Sequence, residues 1–143
     1  MNWQPNIRIL SGKEQIYCDW RHKFVRLTPE EWVRQQVLHI LVEQYAYPAA
    51  RIAVEHAIMV GDTLKRCDAV VMGERLQPLC IVEFKAENVT LTQRVFDQAA
   101  VYNHKLQVPY FVISNGKTTH CCRVTATGYE FLSELPAYDN MNT

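Results

Sequence analysis

Two apolar segments separated by a short polar loop place the strongest constraint on the fold of this chain. The segments are residues 67–72 and 79–84, both rich in Val and Ile, and the loop between them contains Gly73 and Pro78. Short β-branched runs joined by turn residues are typical of a β-hairpin. The pattern therefore predicts two neighbouring antiparallel strands inside a largely buried sheet.

Each of these strands carries a carboxylate where a core strand is normally apolar. If the loop spans residues 73–78, antiparallel counting places Val70 opposite Ile81 and Asp68 opposite Glu83. Directly opposed residues share one face of the sheet with Cβ atoms about 5 Å apart, so two like charges there repel. A positive group is therefore expected beside the two carboxylates.

Lys85 and a divalent cation are the two candidates for that positive group. Side chains alternate along a strand, so Lys85 lies on the same face as Glu83. Mg²⁺, or Mn²⁺ in its place, suits the site better, because Mg²⁺ is commonly held by one or two carboxylates together with water and phosphate. The alternative is an ion-pair cluster on a half-exposed sheet, which contributes little to stability. The apolar character of both strands favours the metal site.

The composition is that of one globular domain of ordinary character. The chain has 143 residues, of which 48% are hydrophobic and 21% charged, enough to bury one core. Its fifteen basic and fifteen acidic side chains cancel, so any nucleic-acid contact must come from a local patch. One basic cluster precedes the first predicted helix and is expected to be a solvated loop, with a phosphate-binding patch as the alternative; it contains Arg21, His22, Lys23 and Arg26.

The cysteines indicate a reducing compartment. There are five of them, and an odd number without a preceding signal peptide favours free thiols over a disulfide framework. Cys121 and Cys122 lie beside His120, but no CxxC or HxxxH spacing completes a zinc site.

The sequence predicts no membrane-spanning segment, because no apolar run approaches the ~20 residues that cross a bilayer. The expectation is a cytoplasmic protein without membrane contact.

A first helix is predicted from Thr28 to the residues before Pro48. Thr28 is the expected N-cap, and Glu31 three residues later completes a capping box. Arg34 and Gln35 lie outside the apolar stripe, where they reach either solvent or a ligand. The stripe consists of residues with helical spacing: Val33, Val37, Ile40, Leu41 and Tyr45.

A second helix is predicted after the hairpin, beginning at Thr90 or Thr92 and ending before Pro109. Three of its polar residues recur at i, i+4 and i+8 and form one ridge: Arg94, Gln98 and Tyr102. Its apolar stripe contains Val95, Ala99, Tyr102 and Leu106. Tyr102 belongs to both sets, so packing and ligand binding both remain open for it.

These elements predict an α/β (α+β) fold with a mixed central β-sheet flanked by α-helices. Residues 51–60 form a strand that makes an antiparallel meander with the hairpin. Residues 110–114 form a strand parallel to the second hairpin strand, because a strand, helix, strand crossover is a right-handed parallel unit. Further strands are expected at 121–124 and 129–132, following an Asn-Gly turn at 115–116.

The order of these elements and their charged residues resembles the core of the PD-(D/E)XK nuclease superfamily. The matching residues are Asp68 and, after fourteen intervening positions, Glu83, Phe84 and Lys85, with Gln98 and Tyr102 in the QxxxY pattern of one subset. Cys67 replaces the proline of the superfamily motif.

Over residues 16–124 the chain is similar to the N-terminal nuclease domain of type I restriction enzyme R subunits, in a short stand-alone form. The resemblance implies a single domain with a restriction-endonuclease-like core over residues 1–143. Residues 1–15 would be an N-terminal extension that is irregular apart from a short edge strand at Ile7–Leu10, and residues 136–143 a frayed C-terminal tail.

The resemblance also implies a metal-dependent endonuclease that hydrolyses DNA phosphodiester bonds in restriction, defence or DNA processing. Asp68, Glu83 and the backbone carbonyl of Phe84 would bind Mg²⁺ or Mn²⁺, and Lys85 would orient or activate water. Many members add a helix glutamate to the site; Glu31 is the candidate here, although its capping role explains it equally well.

Candidate nucleic-acid contacts lie on both predicted helices and on the first hairpin strand. The resemblance implies that Gln98 and Tyr102 lie near the scissile or adjacent phosphate, with Gln98 as a catalytic candidate and Tyr102 as a further one. The full set is Arg34, Gln35, Arg66, Arg94, Gln98 and Tyr102.

Two hypotheses about function are alternatives to the nuclease. One is a non-catalytic nucleic-acid- or protein-binding module that keeps the fold, and the other is a structural domain whose acids form an ion-pair network. The expected partners of the nuclease are DNA and other restriction or repair subunits. Dimerisation stays open, because one site cuts one strand and the sequence pattern shows no interface.

Overall fold

Two β-sheets and two main helices make up the fold. The computed structural model describes residues 1–142. The N-terminal sheet has three antiparallel strands in the order β1 (Ile7–Leu10), β2 (Lys13–Cys18) and β3 (Lys23–Arg26). The central sheet has six strands in the order β4 (Ile52–Val60), β5 (Thr63–Met72), β6 (Pro78–Phe84), β7 (Tyr110–Ser114), β8 (Thr119–Thr125) and β9 (Gly128–Phe131).

The central sheet is mixed, as the sequence predicts. Its neighbours are antiparallel except for β6 and β7, which are parallel and are connected by helix α2 (Gln93–Leu106). The predicted hairpin register is confirmed, since Val70 lies opposite Ile81. The register shifts by one residue near the loop, where Met72 pairs with Pro78.

Helix α1 (Pro29–Glu43) begins as predicted and ends earlier than its apolar pattern suggests. The hydroxyl of Thr28 accepts a hydrogen bond from the backbone N–H of Glu31 at 3.0 Å. Pro29 occupies a first-turn position, where its missing N–H costs nothing. The expectation that Tyr45 belongs to the buried stripe is wrong, because Tyr45 lies beyond the end of α1 and is 40% exposed. The stripe instead includes Leu38, which is fully buried.

Helix α2 is rotated about its axis relative to the prediction. Its buried residues are Phe96, Ala99, Ala100, Asn103 and Leu106. Tyr102 is therefore not a core residue; it is 43% exposed. Asn103 takes a core position because its amide donates to the backbone carbonyls of Val108 and Tyr110, which leaves no unsatisfied donor. These bonds attach the end of α2 to the start of β7.

The two helices cover opposite faces of the central sheet. Leu38 of α1 belongs to one core cluster with Val82, whereas Leu106 of α2 belongs to another with Ile81. Val82 and Ile81 are adjacent on β6, so their side chains point to opposite faces. Full burial of a Leu or Val side chain contributes about 1.5–3 kcal/mol, so both faces contribute to stability.

The predicted Asn-Gly turn connects β7 and β8. The side-chain oxygen of Asn115 accepts from the backbone N–H groups of Lys117 and Thr118, both at 2.9 Å. Its amide nitrogen donates to the carbonyl of Val89 at 2.8 Å, which joins the turn to the loop before α2. Gly116 has φ +85°, and an added Cβ would lie 3.3 Å from Val33 of α1. The turn therefore needs glycine for its conformation and for its approach to α1.

The expectations for the chain ends are confirmed in part. The edge strand expected at Ile7–Leu10 is β1, and residues 13–15 are not irregular, because they form the start of β2. The expectation of a frayed C-terminal tail is wrong. The C-terminal segment has a short helix, α3 (Tyr138–Met141), whose first and last residues are buried. The hydroxyl of Tyr138 donates to the carbonyl of Met72 at 2.8 Å, so this segment packs on the end of β5. Within residues 1–142, none of the helices is long and apolar enough to span a membrane.

Candidate active site

Asp68 lies where the pairing of β5 is interrupted on both sides. The ladder with β6 ends at the pair Ala69–Val82, one step before Asp68. The ladder with β4 pairs Val54 with Ala69 and His56 with Cys67, and it omits the residues between them. The backbone of Asp68 is therefore not engaged in regular sheet pairing, which leaves its polar groups available for other partners.

Glu55, across from Asp68 on β4, has an unusual backbone conformation. Its φ is +54°, in the left-handed region that non-glycine residues rarely adopt. Such a conformation costs about 1–3 kcal/mol and is typical of functional sites. The kink interrupts the ladder and projects the Glu55 carboxylate toward Arg66, whose guanidinium lies 3.3 Å away. Glu55 on β4 thus forms a cross-strand ion pair with Arg66 on β5.

The carboxylate of Asp68 closes the gap that the ladder leaves between β5 and β6. Its Oδ2 atom accepts a hydrogen bond from the backbone N–H of Phe84 at 2.9 Å. The next residue, Lys85, donates its backbone N–H to the carbonyl of Ser114 at 2.9 Å, which extends the β6–β7 pairing. The segment from Glu83 to Lys85 is thus held by Asp68 on one side and by β7 on the other.

Asp68 and Glu83 lie on the neighbouring strands β5 and β6, at the end of their ladder. Glu83 follows Ile81 by two residues, and Ile81 belongs to the cluster beneath Leu106 of α2. Both acidic residues are half-buried, as is Lys85. Within residues 1–142, no hydrogen bond or ion pair engages the Glu83 carboxylate or the Lys85 ammonium. Among the described residues, the structure therefore leaves the side-chain groups of Glu83 and Lys85 without partners, on the segment that Asp68 holds.

Helix α2 carries the remaining motif residues on the same face of the sheet. Arg94, Gln98 and Tyr102 are all exposed. The ammonium of Lys65, on β5, lies 4.4 Å from the centre of the Tyr102 ring. This distance is that of a cation–π contact. It joins the middle of α2 to the strand that carries Asp68 and leaves the Tyr102 hydroxyl on the surface.

The donor groups fit a hard divalent cation. Mg²⁺ is held by one or two carboxylates and retains several water ligands. Asp68 and Glu83 are two such carboxylates, with the backbone carbonyl of Phe84 as the third candidate ligand. In the part of the chain that the structure describes, no group of three His, Cys, Asp or Glu side chains could hold a metal. A metal bound here would therefore rely on the two acids and a backbone carbonyl, and this ligand set stays a prediction.

Glu31 does not join the two acids, because its carboxylate is engaged within a buried polar cluster on α1. Glu31 is only 5% exposed. Its Oε2 atom lies 2.5 Å from the guanidinium of Arg21 and 2.9 Å from the amide of Gln35, and its Oε1 atom lies 3.3 Å from Nε of Arg34. The capping box is only half formed, since Thr28 caps Glu31 while the Glu31 carboxylate binds these three side chains instead.

Arg34 and Gln35 are buried, although the sequence suggests contacts with nucleic acid. Gln35 is fully buried and Arg34 is 7% exposed. The guanidinium of Arg34 donates to the backbone carbonyl of Asp68 at 2.8 Å and lies 5.9 Å from the centre of the Phe84 ring. The polar cluster (Arg21, Glu31, Arg34 and Gln35) thus supports the candidate site from the α1 face. Sequence patterns give no signal for the cluster, because its three α1 residues lie outside the apolar stripe and Arg21 comes from the segment between β2 and β3.

The cysteines are core residues. All five are free and buried. Cys121 and Cys122 pack in the clusters on opposite faces of the sheet, as expected for adjacent strand residues. Burial raises the pKa of Cys67 to about 11, so the thiol next to Asp68 stays protonated at neutral pH. It behaves as a small apolar residue and offers no nucleophile to the site.

Comparisons with known proteins identify the family and the fold. The family described as "Type I restriction enzyme R protein N terminus (HSDR_N)" matches residues 29–136. A crystal structure from Anabaena variabilis ATCC 29413, of a candidate nuclease belonging to DUF820, has a TM-score of 0.52 and 11% sequence identity; the alignment covers 91% of this chain and 86% of that chain. At this identity the likeness shows a shared fold only. No curated protein matches the chain.

Proposed function

The chain belongs to the family of type I restriction enzyme R protein N termini, and we propose on this basis that it is an endonuclease that uses Mg²⁺ or Mn²⁺ to hydrolyse DNA. Its six-stranded mixed sheet flanked by helices has the restriction-endonuclease-like fold that the sequence predicts. The observation that carries the proposal is the position of Asp68 and Glu83, both half-buried on neighbouring strands at the end of the β5–β6 ladder.

Asp68, Glu83 and the backbone carbonyl of Phe84 are the proposed metal ligands. A bound divalent ion would supply positive charge for the phosphate and lower the pKa of a coordinated water. The protein's contribution is rigid placement: β7 and the Asp68–Phe84 hydrogen bond hold the ligand segment from both sides. Fixed donors need no reorganisation during the reaction, which favours catalysis.

Lys85 and Gln98 are the proposed groups that act on water and phosphate. The ammonium of Lys85 has no ion-pair partner among the described residues, so it can hold the attacking water or stabilise negative charge on the phosphate. Gln98 is exposed on α2 and can donate its amide to a phosphate oxygen without adding charge. The exposed hydroxyl of Tyr102 can donate in the same way.

Local cations, rather than the net charge, are proposed to attract the DNA backbone. Lys65 and Arg66 are consecutive on β5, and Arg94 is exposed on α2. Phosphate contacts made by a few such cations give weak, salt-dependent attraction without sequence information. We therefore expect sequence selection to come from a restriction or repair subunit, and cutting of both strands to require a second copy of the chain.

A cleavage assay tests the proposal directly. The protein is incubated with Mg²⁺ or Mn²⁺ and with duplex, single-stranded or branched DNA, and with RNA of the same forms. Cleavage that EDTA stops and that Glu83→Ala abolishes is the expected result. Glu83→Gln provides a matched variant that keeps the shape of the side chain while removing its charge.

Metal titration separates the nuclease from the alternative functions. Calorimetric titration of the wild type with Mg²⁺ or Mn²⁺ is expected to show binding that Glu83→Ala removes. No metal binding would contradict the nuclease proposal. Metal binding without cleavage of any substrate would favour the non-catalytic binding module.

A further inference from the structure

Arg34 connects helix α1 to the candidate metal ligand Asp68 through the sheet. Its guanidinium donates to the backbone carbonyl of Asp68 at 2.8 Å, and this is the one hydrogen bond that the side chain forms within residues 1–142. The carbonyl is available because neither neighbouring ladder pairs Asp68. One buried cation therefore replaces sheet pairing at this residue.

The surroundings of Arg34 hold it in a single position. The side chain is 9% exposed, and burial of a charge is costly unless opposite charges and hydrogen bonds compensate. Glu31 lies 3.3 Å from Nε, Glu55 lies 3.9 Å from Nη2, and the ring of Phe84 lies beneath the guanidinium. Arg21 and Gln35 complete the cluster by binding the other oxygen of Glu31.

The backbone carbonyl and the carboxylate of Asp68 are thus each held by a hydrogen bond from a different element. Arg34 holds the carbonyl from the α1 side, and the N–H of Phe84 holds the carboxylate oxygen Oδ2 from β6. With both groups bound, the second carboxylate oxygen, Oδ1, has a defined direction. Outer-shell hydrogen bonds of this kind orient ligands and tune metal affinity.

We infer that Arg34 is a positioning residue that sets the orientation of Asp68 for metal binding, with Glu31 as its counterion. The inference rests on the proposed function. It assigns the helix glutamate to the support of Arg34 rather than to the metal. It also explains why two charged residues and Gln35 occupy the buried side of α1.

Arg34→Lys is the variant that tests the inference, because lysine keeps the charge but cannot contact Glu31 and the Asp68 carbonyl with a planar fork. Calorimetric titration of the full chain with Mn²⁺ is expected to show an affinity about 10–100-fold lower than that of the wild type. Cleavage is expected to lose kcat with little change in KM for DNA. Without metal, amide hydrogen exchange at Phe84 is expected to accelerate, since its acceptor is no longer held.

Arg123→Lys is the matched control. Arg123 is half-exposed on β8 and pairs with Glu130 across the strand, so this variant tests the same chemical change away from the candidate site. It is expected to leave Mn²⁺ affinity and Phe84 exchange unchanged. Circular dichroism and thermal unfolding verify that both variants are folded.

The outcomes separate this inference from the proposed function. If the wild type binds no Mn²⁺, the proposed function fails. If the wild type binds Mn²⁺ and folded Arg34→Lys binds it equally well, the positioning role of Arg34 is overturned. Should Arg34→Lys not fold, Glu31→Gln removes the counterion while keeping Arg34; part of the metal affinity is expected to be lost, and unchanged affinity would also overturn the inference.

Discussion

The carboxylate of Asp68 and the backbone N–H of Phe84 are joined by a hydrogen bond of 2.9 Å. The bond forms one step beyond the last regular pair of β5 and β6, where the sheet no longer holds the two strands together. A side chain rather than the ladder therefore sets the distance between the two segments that carry the proposed ligands. The same carboxylate is expected to serve both stability and metal binding.

Asp68→Ala is expected to destabilise the metal-free protein more than Asp68→Asn. Alanine leaves the N–H of Phe84 without an acceptor, and an unsatisfied buried donor costs about 1–3 kcal/mol. Asparagine retains an oxygen acceptor and removes the repulsion from Glu83. Urea unfolding in EDTA measures both free energies of unfolding. Equal losses for the two variants would show that the hydrogen bond contributes nothing.

Lys85→Ala is expected to abolish cleavage while the fold remains intact. Loss of one catalytic donor typically lowers the rate about 10²–10³-fold. The Lys85 side chain is half-buried and forms no ion pair with described residues, so its truncation removes little structure. Initial rates with Mg²⁺ measure the effect. Lys105→Ala, in the last turn of α2, is the control; wild-type rates for Lys85→Ala would remove this residue from the mechanism.

Gln98→Ala is expected to lower the cleavage rate without changing metal affinity or the unfolding temperature. The side chain is exposed on α2, so alanine leaves no cavity and is a better helix former. Rates and Mn²⁺ titrations of the same samples separate the two properties. Gln107→Ala, at the C-cap of α2, changes the same residue type outside the proposed site. An unaltered rate for Gln98→Ala would remove Gln98 from the mechanism.

Protonation of His39 is expected to destabilise the protein below neutral pH. Burial lowers the pKa of His39, and the nearby Asp19 and Glu43 carboxylates only partly offset the effect. The unfolded chain, with an ordinary histidine pKa of about 6.5, therefore binds the proton more readily, so stability rises with pH in this range. Stability should thus fall as the pH drops through about 6.5 and level off once the folded protein is protonated.

Urea unfolding of wild type and His39→Gln between pH 7.5 and 5.5 measures this dependence. The wild type should lose more stability than the variant over the range, because glutamine cannot titrate. The other histidines contribute equally to both proteins and cancel in the comparison. Parallel curves for the two proteins would contradict the prediction.

The thiols are expected to react slowly in the native state. Burial raises the pKa of Cys67 to about 11 and that of Cys121 and Cys122 to about 12, and it also raises the pKa of Cys80. Only the thiolate is nucleophilic, so iodoacetamide at pH 7.5 should modify these cysteines rapidly only after unfolding. Mass spectrometry of labelled peptides identifies the sites. Rapid labelling of folded protein at any of the four would refute the prediction.

The central sheet could be predicted because the amino-acid composition of its strands is typical of buried β-strands. The hairpin that contains Val70 and Ile81 is apolar on both faces and is bounded by turn residues, and the crossover length makes the next pairing parallel. The N-terminal sheet gives a weaker signal. The apolar residues of β1 indicate an edge strand, but all four of its residues are exposed, so no alternation of burial supports it. Its pairing with β2 depends on tertiary structure, which a local pattern does not reveal.

The candidate site could be predicted only as far as neighbouring strands determine it. Asp68, Glu83 and Lys85 are related by the register of one hairpin, which counting supplies. Arg34 contacts Asp68 across 34 positions of sequence, and its burial depends on charges from other elements. A charged residue on a helix is normally expected in solvent, and only tertiary structure shows that this one is enclosed.

The layer around α1 contains all three tryptophans of the chain. The indole of Trp3 stacks on the imidazole of His39 with ring centres 4.3 Å apart, Trp20 meets the same imidazole edge-on at 4.9 Å, and Trp32 lies 6.4 Å from Trp3. The proposed substrate face of α2 carries Tyr102 instead. Intrinsic tryptophan fluorescence should therefore report the docking of the N-terminal strands on α1. An emission change on adding DNA would reveal that the two sides of the sheet respond together.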